Sequence, residues 1–351
     1  MTQWLSIYCA PVPDYGLSSL CGCGYWKSVF GACVPDPELD RQFGVPRTHA
    51  FFLYGAEGNG KRTLAGALAA DLAAAGYLFA QIPGEELAGE TEAQAGENIS
   101  ALLKEIPEAA GAVAAGVCVL IDEFQLLLEE KKAVRILERG LERLMNRQVP
   151  CVILGVAESR EHYPARLEKL MLPCPIGLPD EKERREYLEQ AMEGYLPHEH
   201  GLSYKKMAEM TEGLNYDKLD KLTGLAAMLL KQRMKFLFGK DREQMETARQ
   251  KELVFITEEM FQQMVDHLSA GIGQTDLPQN FLLPAGAVPV NGGQAAGTAG
   301  GMAGMGAGWA GAPGADAGGA GQNDMNGGLE TELGQGRSLM DLMDDLDLDA
   351  L

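Results

Sequence analysis

The glycine-rich stretch Gly55-Ala56-Glu57-Gly58-Asn59-Gly60-Lys61 directly follows the apolar run Ala50–Tyr54. Glycines let the backbone bend so that successive N–H groups point inward at phosphate oxygens, and a following helix adds its positive end. A lysine at the end of such a loop reaches the β- and γ-phosphates of a nucleotide. An apolar strand, this loop and a helix in that order predict a cradle for phosphate.

A second motif supports the first, because the apolar run Val117–Ile121 ends in Asp122 and Glu123. One such carboxylate can hold Mg²⁺, and its neighbour can orient a water molecule for attack. A wholly apolar strand is typical of the middle of a parallel sheet covered on both faces, which argues against a solvated strand end. We therefore predict that the chain binds ATP and Mg²⁺, with Asp122 as the metal ligand and with Lys61 and Glu123 in catalysis.

The residues predicted to contact the nucleotide are those of the loop, the first turn of the following helix and one acidic residue: Gly55, Ala56, Glu57, Gly58, Asn59, Gly60, Lys61, Arg62, Thr63, Leu64 and Asp122.

The charge of the chain limits its partners. Its 351 residues include 50 acidic and 30 basic side chains, a formal net charge of −20. Such a chain is steered away from nucleic acid and from anionic membranes. It has no uninterrupted apolar run of about 18 residues, and no basic residue precedes its first short apolar stretch. We expect a cytoplasmic protein that binds neither nucleic acid nor membrane.

Seven cysteines are an odd number, which argues against a complete disulfide framework. Three of them lie in apolar runs and are predicted to be buried thiols: Cys118, Cys151 and Cys174. Four others lie close together near the start: Cys9, Cys21, Cys23 and Cys33. Zinc is an alternative for these four, but paired C-x-x-C knuckles are missing, so reduced structural thiols are favoured.

Short apolar runs alternate with helical patterns over residues 41–179, which predicts βαβ units and an α/β fold with a five-stranded parallel sheet. The predicted strands are Ala50–Tyr54, Tyr77–Ile82, Val117–Ile121, Cys151–Val156 and Pro173–Leu178. Residues 1–40 show no clear period and are interpreted as an N-terminal extension of uncertain order.

Residues 180–275 are predicted to form a small helical lid. Asp180 with Glu183 has the form of a capping box, and Thr257 is a second predicted cap. The segment 276–328 is rich in glycine and alanine and is expected to be a flexible linker. The end of the chain is the segment 329–351. Within it, the spacing of residues 338–351 would place leucines and methionines on one face of a helix, with aspartates between them. It is either a peptide that docks on a protein partner or a solubilising acidic tail.

Several of these features together resemble the AAA+ ATPases, and most closely the AAA group in its strict sense. The resemblance rests on the approach Phe43–Arg47, the loop Gly55–Lys61, Asp122 with Glu123, and the lid motif Gly213-Leu214-Asn215. It covers about Glu38 to Leu268. It implies a doubly wound αβα domain with a helical lid, and a homo-oligomeric ring that binds ATP between neighbouring subunits.

The sequence departs from the family pattern where catalysis would occur. The family places Thr or Ser after the lysine, where its hydroxyl binds Mg²⁺, and this chain has Arg62 there, followed by Thr63. The position of the first sensor, usually Asn, falls on Glu158. The position of the arginine finger falls on Lys169, with Arg166 one turn earlier. We expect one of these two cations to act on the nucleotide of a neighbouring subunit.

The segment Gly84–Asn98 takes the place of the family's pore loop and contains no aromatic residue, so threading by an aromatic side chain is not expected. Two functions remain open from the sequence. One is an ATPase that uses hydrolysis to remodel or assemble a protein partner. The other is a nucleotide-gated binding module with little intrinsic hydrolysis, which needs an activating partner.

Overall fold

The computed structural model describes residues 4–270, apart from 113–114 and 240. The predicted linker 276–328 and the predicted docking peptide 329–351 lie outside the described residues, so both stay predictions. The same holds for the last residues assigned to the lid, 271–275.

The central element is a five-stranded parallel sheet in the order β2-β3-β4-β1-β5. Its strands are β1 (Thr48–Tyr54), β2 (Tyr77–Pro83), β3 (Gly116–Asp122), β4 (Cys151–Ala157) and β5 (Leu172–Pro175). The α/β prediction is confirmed. The fifth strand is shorter than predicted, because its partner β1 ends at Tyr54, opposite Pro175. One further backbone hydrogen bond follows, from the Ile176 N–H to the Tyr54 carbonyl at 2.8 Å.

The helices lie on both faces of the sheet and beyond its last strand. They are α1 (Trp4–Ile7), α2 (Gly24–Gly31), α3 (Pro37–Phe43), α4 (Lys61–Ala74), α5 (Gly84–Ala88), α6 (Glu92–Ala112), α7 (Gln125–Glu129), α8 (Lys131–Asn146), α9 (Glu181–Met192), α10 (Tyr204–Met210), α11 (Tyr216–Phe238), α12 (Arg242–Gln250) and α13 (Glu258–Ser269). Short 3₁₀ turns cover Leu17–Ser19 and Leu167–Lys169.

The sheet carries a hydrophobic core on each face. In β1, Phe52 belongs to the core under α6 and α8, whereas Phe51 and Leu53 belong to the core under α4. Successive side chains of a strand point to opposite faces, so a strand covered on both faces has to be apolar at every position. This double coverage explains the uninterrupted apolar runs from which the strands were predicted.

The N-terminal segment differs from its interpretation as an extension of uncertain order. Leu5, Leu17 and Phe30 are buried, the first in one core and the other two in the other. The backbone N–H groups of Trp4 and Leu5 donate to the Glu105 carboxylate at 3.3 and 3.1 Å. The segment contributes its apolar side chains one at a time to two faces of the sheet, and therefore shows neither a helical nor a strand period.

Helices α9, α10, α11 and α13 pack into a separate core, which agrees with the predicted helical lid. Both predicted caps are confirmed. The Glu183 N–H donates to Asp180 Oδ1 at 2.8 Å, and the Asp180 N–H donates back to Glu183 Oε2 at 3.1 Å. The Met260 N–H donates to Thr257 Oγ1 at 3.3 Å. Capping groups satisfy N–H groups that the first helical turn leaves without a partner.

All seven cysteines are free thiols. Cys118, Cys151 and Cys174 are buried as predicted, and burial raises the pKa of the Cys151 thiol to about 12. Across the described part of the chain, no group of three or more His, Cys, Asp and Glu side chains is arranged to hold a metal ion. Within the same residues, no helix is long and apolar enough to cross a membrane.

Candidate functional site

A cleft of about 450 Å³ opens at the carboxyl end of the sheet, beside the glycine-rich loop. Open parallel sheets bind ligands at this end, because the loops that follow the strands converge there. The cleft is lined by the loop and the first turn of α4, by residues after β3, by the end of β4 with the residue that follows it, and by the first turns of α11: Glu57, Gly58, Gly60, Lys61, Arg62, Thr63, Glu123, Gln125, Val156, Ala157, Glu158, Asp217 and Lys221.

The glycine-rich loop is held from two sides. Gly58 has φ +79°, and a Cβ placed on it would lie 2.3 Å from Asn215 Nδ2, so a larger residue fits neither the backbone nor the space. On the other side, Asn59 Nδ2 donates to the Ile176 carbonyl at 3.0 Å. Gly60 is the N-cap of α4, so the positive end of this helix points into the cleft.

Lys61 is the cation nearest the loop backbone. Its Nζ donates to the carbonyls of Gly55 at 2.6 Å and Ala56 at 2.8 Å, and only 8% of the residue is exposed. Burial lowers the pKa of the Lys61 ammonium, while the nearby Glu158 carboxylate acts in the opposite direction. A flexible ammonium held only by two carbonyls can exchange them for phosphate oxygens.

Arg62 and Asp122 form an ion pair at the wall of the cleft. Arg62 Nε donates to Asp122 Oδ1 at 2.7 Å, and Gln81 Nε2 donates to Asp122 Oδ2, also at 2.7 Å. The hydrogen bond to Asp122 raises the pKa of Arg62. The aspartate side chain is 13% exposed and the arginine 64%, so the carboxylate is shielded from solvent and the guanidinium is not.

This arrangement does not fit the Mg²⁺ site that the sequence placed at Asp122. Both carboxylate oxygens already accept hydrogen bonds, and the residue after Lys61 supplies a cation where a hydroxyl oxygen would be needed. Mg²⁺ requires oxygen ligands in near-octahedral geometry, and a guanidinium offers only N–H donors. A metal at Asp122 would have to displace Arg62.

Two further carboxylates line the cleft, Glu123 and Glu158. Glu123 has φ +47°, a left-handed conformation that costs a non-glycine residue roughly 1–2 kcal/mol. The turn is fixed by backbone hydrogen bonds on either side, from Phe124 to Val156 at 2.8 Å and from Leu126 to Glu123 at 3.0 Å. A strained residue held in this way is typical of a functional position.

The lid supplies contacts that sequence reasoning did not assign to the site. Asn215 Nδ2 donates to the Glu57 carbonyl at 2.9 Å, and the Asp217 N–H donates to the Gly58 carbonyl at 3.2 Å. Lys221 pairs with Asp217 at 2.7 Å. Of these residues only Asn215 carried a signal, as part of the lid motif Gly213-Leu214-Asn215. Gln81 was missed too, although a glutamine in an apolar strand is an anomaly that could have drawn attention to it.

The N-terminal segment closes one flank between sheet and lid. The Cys23 N–H donates to Glu183 Oε1 at 2.6 Å, and Trp26 Nε1 donates to the Pro175 carbonyl at 3.0 Å. Gly22 lies against the hydroxyl of Tyr216, which has no hydrogen-bond partner within the described residues. The N-terminal segment therefore contacts β5 at Pro175 and two lid helices, α9 at Glu183 and α11 at Tyr216.

The remaining predicted site residues lie elsewhere. Arg166 and Lys169 are exposed beside the 3₁₀ turn before β5 and do not line the cleft of their own chain. The segment Gly84–Asn98 forms α5 and the start of α6. The structure thus brings together the loop, Asp122, Glu123 and Glu158, and leaves the two candidate finger residues on the outside.

Comparisons with known proteins agree with this geometry. The family model of the "ATPase family associated with various cellular activities (AAA)" matches residues 51–172. Among solved structures, one reported under "Structural Basis for Katanin Self-Assembly" matches with 22% identity and a TM-score of 0.50. The match covers 72% of this chain and 85% of that one. At this identity the likeness shows the fold alone. No curated protein matches the chain.

Proposed function

We propose that this chain, of which residues 51–172 match the family model of the AAA ATPases, binds ATP in the cleft and hydrolyses it. It would use the nucleotide state to change its association with a protein partner. The observation that carries the proposal is that Lys61, the loop and Glu123 line one cleft at the carboxyl end of the sheet.

Each of these groups has a role that its chemistry supports. The loop N–H groups and the N-terminus of α4 hold the phosphates, and Lys61 exchanges the carbonyls of Gly55 and Ala56 for phosphate oxygens. The Glu123 carboxylate accepts a hydrogen bond from water and orients it toward the terminal phosphorus. The proposed chemistry therefore uses residues of two adjacent loops on one sheet.

The lid contacts give the nucleotide a means to act at a distance. Residues Asn215 and Asp217 of the lid bind the carbonyls of Glu57 and Gly58, next to the two carbonyls that Lys61 holds. When phosphate binds Lys61, the ammonium leaves these carbonyls. The conformation of the loop then changes, and the lid contacts the same loop. A ligand shifts an equilibrium only through such a difference in contacts between two states.

The proposal includes other copies of the chain and a protein partner. Arg166 and Lys169 are exposed cations, so either can reach the nucleotide of a neighbouring copy in a homo-oligomeric ring. Residues 338–351, outside the described residues, are proposed to recruit the partner. Deleting 329–351 should then leave ATP affinity unchanged and abolish partner binding, as measured by calorimetry and pull-down.

A second candidate function is a nucleotide-gated binding module with little hydrolysis of its own. It is favoured by the ion pair between Arg62 and Asp122 and by Glu158. Each of these features differs from the AAA pattern at a position on which hydrolysis depends. A carboxylate beside the terminal phosphate repels the charge that develops there. In this case the nucleotide sets partner affinity, and turnover needs an activating partner.

The deciding experiment measures ATP turnover against protein concentration, with Glu123→Gln as the test variant and Glu142→Gln, an exposed position on α8, as the matched control. Turnover that rises with concentration, is lost in Glu123→Gln and survives in Glu142→Gln supports an assembled ATPase. Tight ATP binding without turnover in any variant supports the gated module. A chain that does not bind ATP at all would overturn both.

A further inference from the structure

The residue after the loop lysine is a cation held by the acid that would otherwise hold a metal. Arg62 Nε binds Asp122 Oδ1 at 2.7 Å, and Arg62 itself lines the cleft. The second oxygen of the carboxylate is held by Gln81 at 2.7 Å. The position at which a divalent cation would link protein and phosphate is thus taken by a positive charge that belongs to the chain.

We propose that the Arg62 guanidinium replaces a protein-bound divalent cation in this cleft, so that the chain binds ATP without requiring Mg²⁺. The inference rests on the proposed ATP site and names how that site handles phosphate charge.

The hydrogen-bonding capacity of the guanidinium supports this role. A guanidinium has five N–H donors in a fixed planar fork and accepts no hydrogen bonds. The contact to Asp122 uses the single donor on Nε, which leaves the two terminal amino groups for phosphate oxygens. The carboxylate, the guanidinium and a phosphate can therefore form the bridge that a carboxylate, a metal ion and a phosphate form in a metal-dependent site.

The charge of the cleft shows why a cation is needed there. Glu57, Glu123 and Glu158 line the cleft beside the loop, and Asp122 lies behind Arg62. Lys221 also lines the cleft but is paired with Asp217 at 2.7 Å, so Lys61 and Lys221 without Arg62 cannot offset these carboxylates and a bound triphosphate. Replacing Arg62 by a hydroxyl residue removes one positive charge, frees Asp122 Oδ1 and supplies an oxygen ligand, so the same change should create a need for Mg²⁺.

The test compares ATP affinity of the full chain in EDTA and in excess Mg²⁺ by calorimetry at constant ionic strength. The variant is Arg62→Thr, and Arg139→Thr, an exposed position on α8, is the matched control. For the native chain and the control we expect the two affinities to agree within about threefold. For Arg62→Thr we expect ATP to bind at least about tenfold more tightly with Mg²⁺ than in EDTA, a difference of about 1.4 kcal/mol.

A native chain whose ATP affinity falls by about tenfold or more in EDTA would overturn the inference and leave the proposed function standing, since ATP would still bind with Mg²⁺. Arg62→Thr binding equally well in both conditions would also overturn it. Absence of ATP binding under either condition would instead refute the proposed function itself. The comparison on the native chain needs no variant, so the inference stays testable if Arg62→Thr does not fold.

Discussion

The two walls of the cleft differ in how far they follow the AAA family. The binding wall, the loop Gly55–Lys61 with the lid residues Asn215 and Asp217, retains the glycines, the lysine and the helix N-terminus that hold phosphate. The chemical wall, Arg62 with Asp122, Glu123 and Glu158, retains both acids after β3 but adds a cation and a further acid.

This difference indicates that phosphate binding and phosphate chemistry depend on different features of a sequence. Phosphate binding depends on backbone N–H groups and one flexible ammonium, so it tolerates many side-chain substitutions around the loop. Chemistry depends on the identity of single side chains, because each has to stabilise a charge that develops at one point.

The largest effect is expected on the binding wall from Lys61→Ala. Loss of a charge-assisted hydrogen bond to phosphate is worth about 1.5–3 kcal/mol, so ATP affinity should fall by about 10- to 100-fold. Calorimetric titration with ATP measures the change. Lys104→Ala, an exposed position on α6, is the control and should bind like the native chain. Unchanged affinity in Lys61→Ala would show that the loop does not hold phosphate.

The substitution Gly84→Ala should change the chemical wall without changing the binding wall. A Cβ at this position would lie 2.5 Å from the Asp122 carbonyl oxygen and 2.6 Å from that of Glu123, so the backbone carrying both acids has to move. We expect the free energy of unfolding to fall by about 1–3 kcal/mol and turnover to fall more than ATP affinity. Urea denaturation and single-turnover kinetics measure the two effects.

The control for that experiment is Gly111→Ala, because a Cβ added there meets nothing within 4 Å. It should keep both stability and turnover. Equal losses of ATP affinity and turnover in Gly84→Ala would mean that the two walls do not act separately.

A smaller effect is expected where the lid rests on the binding wall. Asn215→Ala removes the hydrogen bond to the Glu57 carbonyl and the cap on the Lys218 N–H, both 2.9 Å long. The loss should destabilise the protein by about 1–2 kcal/mol in urea denaturation. Asn215→Asp keeps an oxygen that caps the helix but loses the donor, so it separates the two contributions. If both variants are as stable as the native chain, the lid does not depend on this contact.

The smallest effect is expected from Gln81→Ala, which removes one of the two hydrogen bonds to Asp122 and leaves the ion pair with Arg62 intact. Because Gln81 is exposed, the cost should be only about 0.5–1 kcal/mol. The metal independence of ATP binding should persist, as checked by calorimetry in EDTA. A new Mg²⁺ requirement in this variant would show that Gln81, rather than Arg62, keeps the metal from Asp122.

The sequence predicted the site best where local pattern and chemistry coincide. The glycine loop, Asp122 and Glu123 stand at strand ends that hydrophobic patterning identifies, so their meeting at one edge of the sheet followed from parallel topology. The caps at Asp180 and Thr257 were also predictable, because a cap acts within one helical turn. The N-terminal segment was not, since its anchors are far apart in the chain.

What the sequence determined by itself is therefore the α/β architecture, the phosphate loop and the helical lid, all of which depend on contacts within a few residues or on strand periodicity. Only the tertiary structure decided that Arg62 pairs with Asp122, 60 residues away along the chain, and that Asn215 reaches Glu57, 158 residues away. No local pattern encodes such partners, because side-chain pairing depends on how separate elements are brought together by the fold. The metal independence that we propose for the site rests on that pairing.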